Sequence, residues 1–147
     1  MDQLNKKDEN LNEETYELYD RNIRLWGKEN QIKLNNSHVL LINLNSVITE
    51  LAKNLVLAGV NLFLFDNNQN ERPQLICMYD VKNNFFINQD DINKVRTSVL
   101  KERLNAINSY VKVEELPQIP ENLKNIQCAC IGLSDFVQMV SYYKLLN

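Results

Sequence analysis

The sequence predicts an α/β fold: a doubly wound, mainly parallel sheet with a helix ahead of it. Three observations carry that prediction. HVLLINL (38–44) and VNLFLFD (60–66) are continuous apolar runs of strand length with a helical stretch between them, as buried parallel strands joined by a crossover are. A third run, IQCACIGL (126–133), follows a long amphipathic segment. Strands that alternate with helices imply right-handed βαβ crossovers and an open parallel sheet.

With 147 residues, 44% of them hydrophobic, the chain is long enough for one globular domain with a core of its own. A charged fraction of 24% and three scattered Gly argue for folded structure. The many Asn read as compositional bias, because they fall in loops and on helix faces alike. Residues 1–12 read as a flexible acidic lead-in, and 13–147 as the domain. From Glu13 to about Asn35 the pattern is helical. Leu18, Asn22 and Leu25 form one stripe and Tyr19, Ile23 and Trp26 a second, at spacings of three and four. After the first strand, Ser46 can cap a helix through its hydroxyl. That helix runs to Ala58 and stops at Gly59, a residue that takes positive φ at little cost.

Residues 67–82 read as loop, with Pro73 as breaker. In DDINKVRTSVLKERLNAIN (90–108), Ile92, Val95, Val99, Leu100, Leu104 and Ile107 share one side of a helix. YVKVEEL (110–116) alternates as a strand ended by Pro117 and Pro120. After the run at 126–133, SDFVQMVSYYKLL (134–146) starts a helix with Ser134 as its cap. A doubly wound sheet needs further strands beyond that point, so the sequence reads as the front part, a truncated fragment, of a longer protein. No internal repeat is visible.

A net charge of −3 and a pI near 5.2 give no reason to expect non-specific nucleic-acid binding. No run approaches the ~18 apolar residues of a membrane span, and MDQLNKKDENLNEE lacks the apolar centre of a signal peptide. Cys77, Cys128 and Cys130 lack metal-ligand spacing, so no metal site is expected. They read as buried structural thiols of a reducing compartment, with Cys128 and Cys130 facing opposite sides of the sheet. His38 has no nucleophile beside it by motif and reads as structural. The pairs Asp90/Asp91 and Glu114/Glu115 read as a capped helix start and a strand edge rather than acid–base machinery.

The turn after the first strand bears most on function. In dinucleotide-binding folds of the Rossmann type, glycines there let backbone approach phosphate and let helix pack on strand. The corresponding positions here are Asn43, Ser46 and Ile48. A β-branched Ile tolerates positive φ poorly, and its side chain takes space beside a bound phosphate. The helix N-terminus still offers amides and dipole, a weak grip without close approach. An ordinary βαβ unit with no ligand is therefore the first reading. Asp66, ending the second strand, stands where a carboxylate would hold a ribose hydroxyl, and equally where an Asp forms a turn.

YDRNIRLWG (19–27), TELAKNLVLAGV (49–60), NNFF (83–86) and DINKVR (91–96), in that order, resemble the amino-terminal part of ubiquitin-like modifier activating enzymes, a family with the ThiF/MoeB-like fold. The resemblance covers roughly residues 16–115 and is closest to the regulatory, non-adenylating subunits of the heterodimeric enzymes. YDRNIRLWG and LAGV lean to the SUMO-type small subunit. LIN, NLVL and NNFF lean to the Rub/NEDD-type regulatory subunit, a close second. INSYVKV (107–113) is similar to the inactive half of the single-chain ubiquitin enzyme.

The resemblance implies a pseudo-adenylation domain that pairs with a catalytic subunit, binds no cofactor itself, and leaves ATP and Mg to the partner. The site at Asn43, Ser46, Ile48 and Asp66 is then a degenerate one. Catalytic members carry an Asn and an Arg before a QF-like element and a Lys on the following helix. Asp80 and Asn83 stand near the first two positions, so the charge that would counter a triphosphate is gone, and Arg96 stands near the third. Arg21, of the YDR motif, is implied to reach across the dimer to the partner's ATP phosphates, a task that suits a fixed positive fork. Arg24 and Lys28, at i+3 and i+7, extend a basic stripe, with Arg24 the weaker candidate. On an arbitrary helix the same stripe would be a solvated face. The thioester cysteine is implied to lie on the partner, and the modifier to be met only indirectly. No nucleic-acid or membrane partner is implied, and the location is cytoplasmic and/or nuclear. Two further readings stay open: a stand-alone NAD- or ATP-binding enzyme, and a scaffold that kept the fold for dimerisation alone.

Overall fold

A parallel sheet of β1 (His38–Ile42), β2 (Asn61–Phe65), β3 (Val113–Glu115) and β4 (Cys128–Ile131) forms the centre of the computed structural model, in the order β3-β2-β1-β4. The structure describes residues 13–67, 72–120, 122–132 and 140. The expected lead-in at 1–12, and all but Val140 of the helix expected at 134–146, lie outside the described residues. His38 sits opposite Asn61, and Val39 opposite Cys128. Leu40, Leu41, Ile42, Leu62 and Leu64 are inaccessible or nearly so, which is why the two inner strands read as unbroken apolar runs.

β4 departs from its expected burial. It is the outer strand of the described sheet, with Cys128 exposed and Ala129, Cys130 and Ile131 half-buried. Strand side chains alternate with period two, so residues two apart share a face rather than divide between faces. The Cys128 and Cys130 sulfurs accordingly lie 3.9 Å apart. Burial, with Cys128 alongside, pushes the Cys130 thiol pKa up. Cys77 is exposed as well, so the expectation of three buried thiols does not hold.

The single helix expected over Glu13 to Asn35 is three: α1 (Glu13–Leu18), α2 (Asp20–Trp26) and α3 (Lys28–Asn35). Tyr19 interrupts the first two, and Gly27, at φ +86°, turns the chain into the third. α4 (Ser46–Ala58) has the predicted limits, but its cap is Asn45, whose Oδ1 accepts from the Ile48 amide at 3.0 Å. Asn caps as well as Ser does, and Ser46 is simply the first helical residue.

Gly59 closes α4 at φ +91°. A Cβ there would collide with Asn35 Oδ1 and stand 2.9 Å from the Tyr19 hydroxyl. The crowding arises because α3 docks on this helix end: the fully buried Gln31 donates to Ala58 O at 2.9 Å and accepts from Trp26 Nε1. Gly59→Ala should therefore destabilise the chain by about 2–3 kcal/mol, the left-handed penalty plus the clash. A urea midpoint equal to that of the native chain would refute this packing.

α5 (Met78–Asn83) lies partly inside the stretch read as loop. It starts on a reciprocal cap in which the Cys77 thiol accepts from the Asp80 amide and the Asp80 carboxylate accepts from the Cys77 amide. Cysteine is not a usual capping residue, so no sequence signal announced it. α6 (Arg96–Ile107) starts later than expected. Residues 89–91 form a 3₁₀ turn, and Asn93, Lys94 and Arg96 give backbone groups to the 74–76 segment. Ile76 N donates to Lys94 O, Asn93 N to Ile76 O, and Arg96 N to Gln74 O, all within 3.0 Å.

One face of the sheet packs Leu41, Leu62, Leu64 and Val113 against Ile48, Ala52 and Val56 of α4 and Val99, Leu100 and Leu104 of α6. The other packs Leu40, Ile42 and Phe65 against Leu116, Ile119, Leu123 and Ile126. Several asparagines prove to be buried connectors rather than bias. Asn108 Nδ2 donates to the Tyr19 hydroxyl (2.7 Å) and Val56 O (2.9 Å). Asn61 reaches Asn35 O and the Lys112 amide, and Asn84 the Thr49 hydroxyl. Each satisfies polar groups that burial would otherwise leave unpaired. His38 stacks on Phe63 with ring centres 5.5 Å apart, in keeping with a structural role.

Candidate functional site

Because β1, β2 and β4 are parallel, their carboxyl ends open on one edge, and the chain order changes direction between β1 and β4. That is the edge where open α/β sheets take ligands. Asn43, Asp66 and Gly132 follow the three strands there. Asn43 adopts φ +61°, the left-handed turn that Asn tolerates better than most residues. Its amide donates to Phe65 O (3.0 Å) and its side chain to Gly132 O (2.6 Å). A Cβ on Gly132 would collide with Asn43 O, so this approach requires glycine.

Ser46 and Ile48 lie in the first turn of α4. Ile48 therefore carries no positive φ, which corrects the expected backbone strain. Its side chain is buried in the core, and its amide is taken by Asn45 Oδ1. The helix start thus donates one of its free amides to the chain's own cap.

Asp66 is 3% exposed and fully engaged. Its Oδ2 accepts from Arg96 Nε at 2.6 Å, and its Oδ1 from Arg96 Nη2 at 3.0 Å and the Leu44 amide at 3.3 Å. The third side of the guanidinium, Nη1, donates to Asp80 Oδ1 at 2.8 Å, while Asp80 Oδ2 accepts from the Cys77 amide at 2.9 Å. This is a forked, charge-assisted arrangement in which each of the three side chains is at most 10% exposed. Burial pushes the Asp80 carboxyl pKa up, but Cys77 and the Arg96 guanidinium outweigh it and hold the group below its ordinary value. Burial pulls Arg96 down, and Asp66 and Asp80 more than reverse it. Asp91 is similar in kind: the Asn88 amide, Lys94 and Arg103 outweigh burial and lower its pKa.

Asp80 and Asp91 bind protons less readily in the folded than in the unfolded chain. Their contribution is fully present above the unfolded carboxylate value of about 4 and is lost as pH falls through the lower folded values. The urea midpoint should hold between pH 7 and 5 and fall steeply below pH 4. In Asp80→Asn the fall should be shallower, and equal slopes for the two proteins would count against this assignment.

Two carboxylates around one guanidinium leave the cluster with a charge of −1. Asp66 is buried and has three of its about four acceptor positions taken, so it presents little to a ribose hydroxyl. Asn83, the other position of interest, is exposed and donates to Tyr79 O. A hollow of about 380 Å³ at the head of α4 is lined by Ser46, Val47, Asn83, Asn84, Phe85, Phe86 and Glu50, the one charged side chain among the described residues there. As built, these groups do not fit a nucleoside triphosphate, whose phosphates need cations.

Arg21 and Arg24 stand apart from this edge, on α2. Arg24 forms an exposed pair with Asp20 at 2.9 Å, an interaction worth little in water. Arg21 is exposed and makes no hydrogen bond or ion pair among the described residues. The helix is anchored from its other side by Tyr19, which is 2% exposed. Sequence reasoning located Asp80 and Arg96 but missed that they pair with each other and with Asp66.

The ThiF family matches residues 19–136. The chain is 41% identical over 106 residues to the NEDD8-activating enzyme E1 regulatory subunit of Xenopus laevis, covering 71% of this chain and 19% of that protein. It is 35% identical over 115 residues to SUMO-activating enzyme subunit 1 of Dictyostelium discoideum, covering 78% and 33%. The chain thus spans a third or less of the length of these relatives. E. coli MccB has the same fold, with a TM-score of 0.70 at 19% identity over 88% of this chain and 38% of that one. With its parallel sheet and helix order in place, and the match running from α2 past β4, the chain belongs to the ThiF family.

Proposed function

We propose that this chain is the non-adenylating part of a heterodimeric ubiquitin-like modifier activating enzyme. The carrying observation is a contrast within one molecule: Asp66, Arg96 and Asp80 engage one another at the Rossmann edge, while the Arg21 side chain is exposed on α2 with no partner among the described residues. The partner subunit holds ATP and Mg, and adenylates the carboxyl terminus of the modifier with release of pyrophosphate. Arg21 enters that site in trans, where its fixed charge and several donors stabilise the triphosphate as charge shifts. The partner also carries the cysteine that accepts the modifier as a thioester. A relative named as a regulatory subunit and a second named as subunit 1 support the division of labour. Modifier conjugation places the protein in the cytoplasm and/or nucleus.

The test is ATP–pyrophosphate exchange by the chain alone, by a catalytic activating subunit alone, and by the two mixed, with SUMO-, NEDD8- and ubiquitin-type modifiers in turn. The expected result is exchange that needs the mixture and one modifier class. Exchange by this chain alone would overturn the proposal.

A further inference from the structure

We propose that Asp80 is a built-in ligand. Its carboxylate occupies, from within the chain, an oxyanion site whose donor is Arg96, and residue 80 thereby determines that this edge takes no small carboxylate or phosphate from solution. The inference stands on geometry independent of the subunit reading.

Asp66 alone already matches the guanidinium: two parallel N–H···O bonds, from Nε and Nη2, neutralise the charge. The Nη1 donor is left over, and a second anion is not needed for neutrality. Asp80 nevertheless supplies one, at 2.8 Å, and overcharges the cluster. Its placement is built rather than incidental. Oδ2 is tied to the Cys77 amide at 2.9 Å, and the Cys77 thiol accepts from the Asp80 amide, so the cap of α5 fixes the carboxylate in front of Arg96. Asp66 in turn links the guanidinium to the Leu44 amide of the β1–α4 turn at 3.3 Å. The Arg96 donor therefore sits one carboxylate away from the helix start where a βαβ unit takes an anion. Asn43 keeps the left-handed turn conformation there. What closes the edge is occupation by Asp80.

Removing the side chain should uncover the site. In the full 147-residue chain, Asp80→Ala leaves the Nη1 donor buried beside a vacancy the size of a carboxyl group, and Asp80→Asn fills the same volume with an amide. The thermal midpoint of Asp80→Ala should drop by roughly 10 °C. It should then recover saturably with formate, and with inorganic phosphate if the larger anion enters, against chloride at matched ionic strength. At twenty times its Kd, the anion favours the folded state by about 21-fold. The native chain and Asp80→Asn should respond no more than the chloride control.

The ¹⁵N–¹H resonance of Arg96 Nε should move with formate in Asp80→Ala and stay put in Asp80→Asn. Where Asp80→Ala is unfolded at 25 °C, formate should restore its near-ultraviolet circular dichroism. No response to formate by Asp80→Ala, or an equal response by Asp80→Asn, would overturn the assignment. Recovery with formate but not phosphate supports it and sets the size of the site.

Discussion

Arg96→Leu should destabilise the folded chain by about 3–5 kcal/mol at pH 7, the loss expected when one partner of a buried ion network is removed. The cause is what stays behind. Asp66 and Asp80 would be two buried carboxylates with no cation between them, and the Leu44 and Cys77 amides cannot compensate for that charge. Without the guanidinium that holds it down, the folded-state pKa of Asp80 should then rise above the unfolded value of about 4, by burial and repulsion from the second carboxylate. A group raised on folding contributes stability at low pH and withdraws it as pH rises through the folded value. The deficit of Arg96→Leu relative to the native chain should therefore narrow as pH falls from 7 to 5, a range in which the native chain holds steady. Neutralising the acids together with the arginine, as in Asp66→Asn/Asp80→Asn/Arg96→Leu, should regain much of the loss. Urea midpoints at pH 7 and 5 decide the matter. A loss below about 1 kcal/mol, or a deficit independent of pH, would mean that the network is not stabilised as its geometry implies.

This network also marks the limit of what the sequence made legible. The inner strands and the carboxyl end of α4 could be read locally, because continuous apolar runs and a left-handed Gly59 act within a few residues. Of the Tyr19, Ile23 and Trp26 stripe, Tyr19 is buried as an anchor should be, while Trp26 is exposed and α2 itself buries no residue. Asp66 and Arg96 are separated by 30 positions, and Asp80 and Arg96 by 16. No period or spacing rule ties such residues together, so each was read alone: Asp66 as a ribose ligand or turn former, Asp80 as a lost charge. The late start of α6 has a similar origin, since backbone groups of Asn93, Lys94 and Arg96 bond to 74–76 instead of continuing a helix. Buried Asn108 looks like any loop Asn until Tyr19 and Val56 are brought to it.

The glycine-free turn also acquires a different meaning. Loss of glycine suggested a turn no longer able to approach a ligand. Yet Asn43 holds φ +61°, and Gly132 remains where a side chain would strike Asn43 O. The turn holds a left-handed residue and a close approach to Gly132, and the charges beside it form a closed set. A fold can lose a ligand by occupying its own donors, without losing the scaffold that presented them. That leaves the rest of the surface available for a role in a partner's site.

Arg21→Ala in the assembled enzyme should slow ATP–pyrophosphate exchange by about 100- to 1,000-fold, the scale on which a single donor to developing charge acts. The Arg21 side chain is exposed and makes no hydrogen bond or ion pair among the described residues. Its replacement should thus leave the stability of this chain within about 0.5 kcal/mol of native. Subunit association, measured separately by sedimentation or titration calorimetry, should be unchanged. Arg21→Lys should recover only part of the rate, because lysine keeps the charge but not the planar fork. Arg24→Ala removes an exposed pair with Asp20 and should cost far less. The pattern separates the proposed role from a pure scaffold, for which the charge at position 21 is irrelevant. Exchange at the native rate in Arg21→Ala, with the complex intact, would take Arg21 out of the mechanism and leave the chain a dimerisation partner alone.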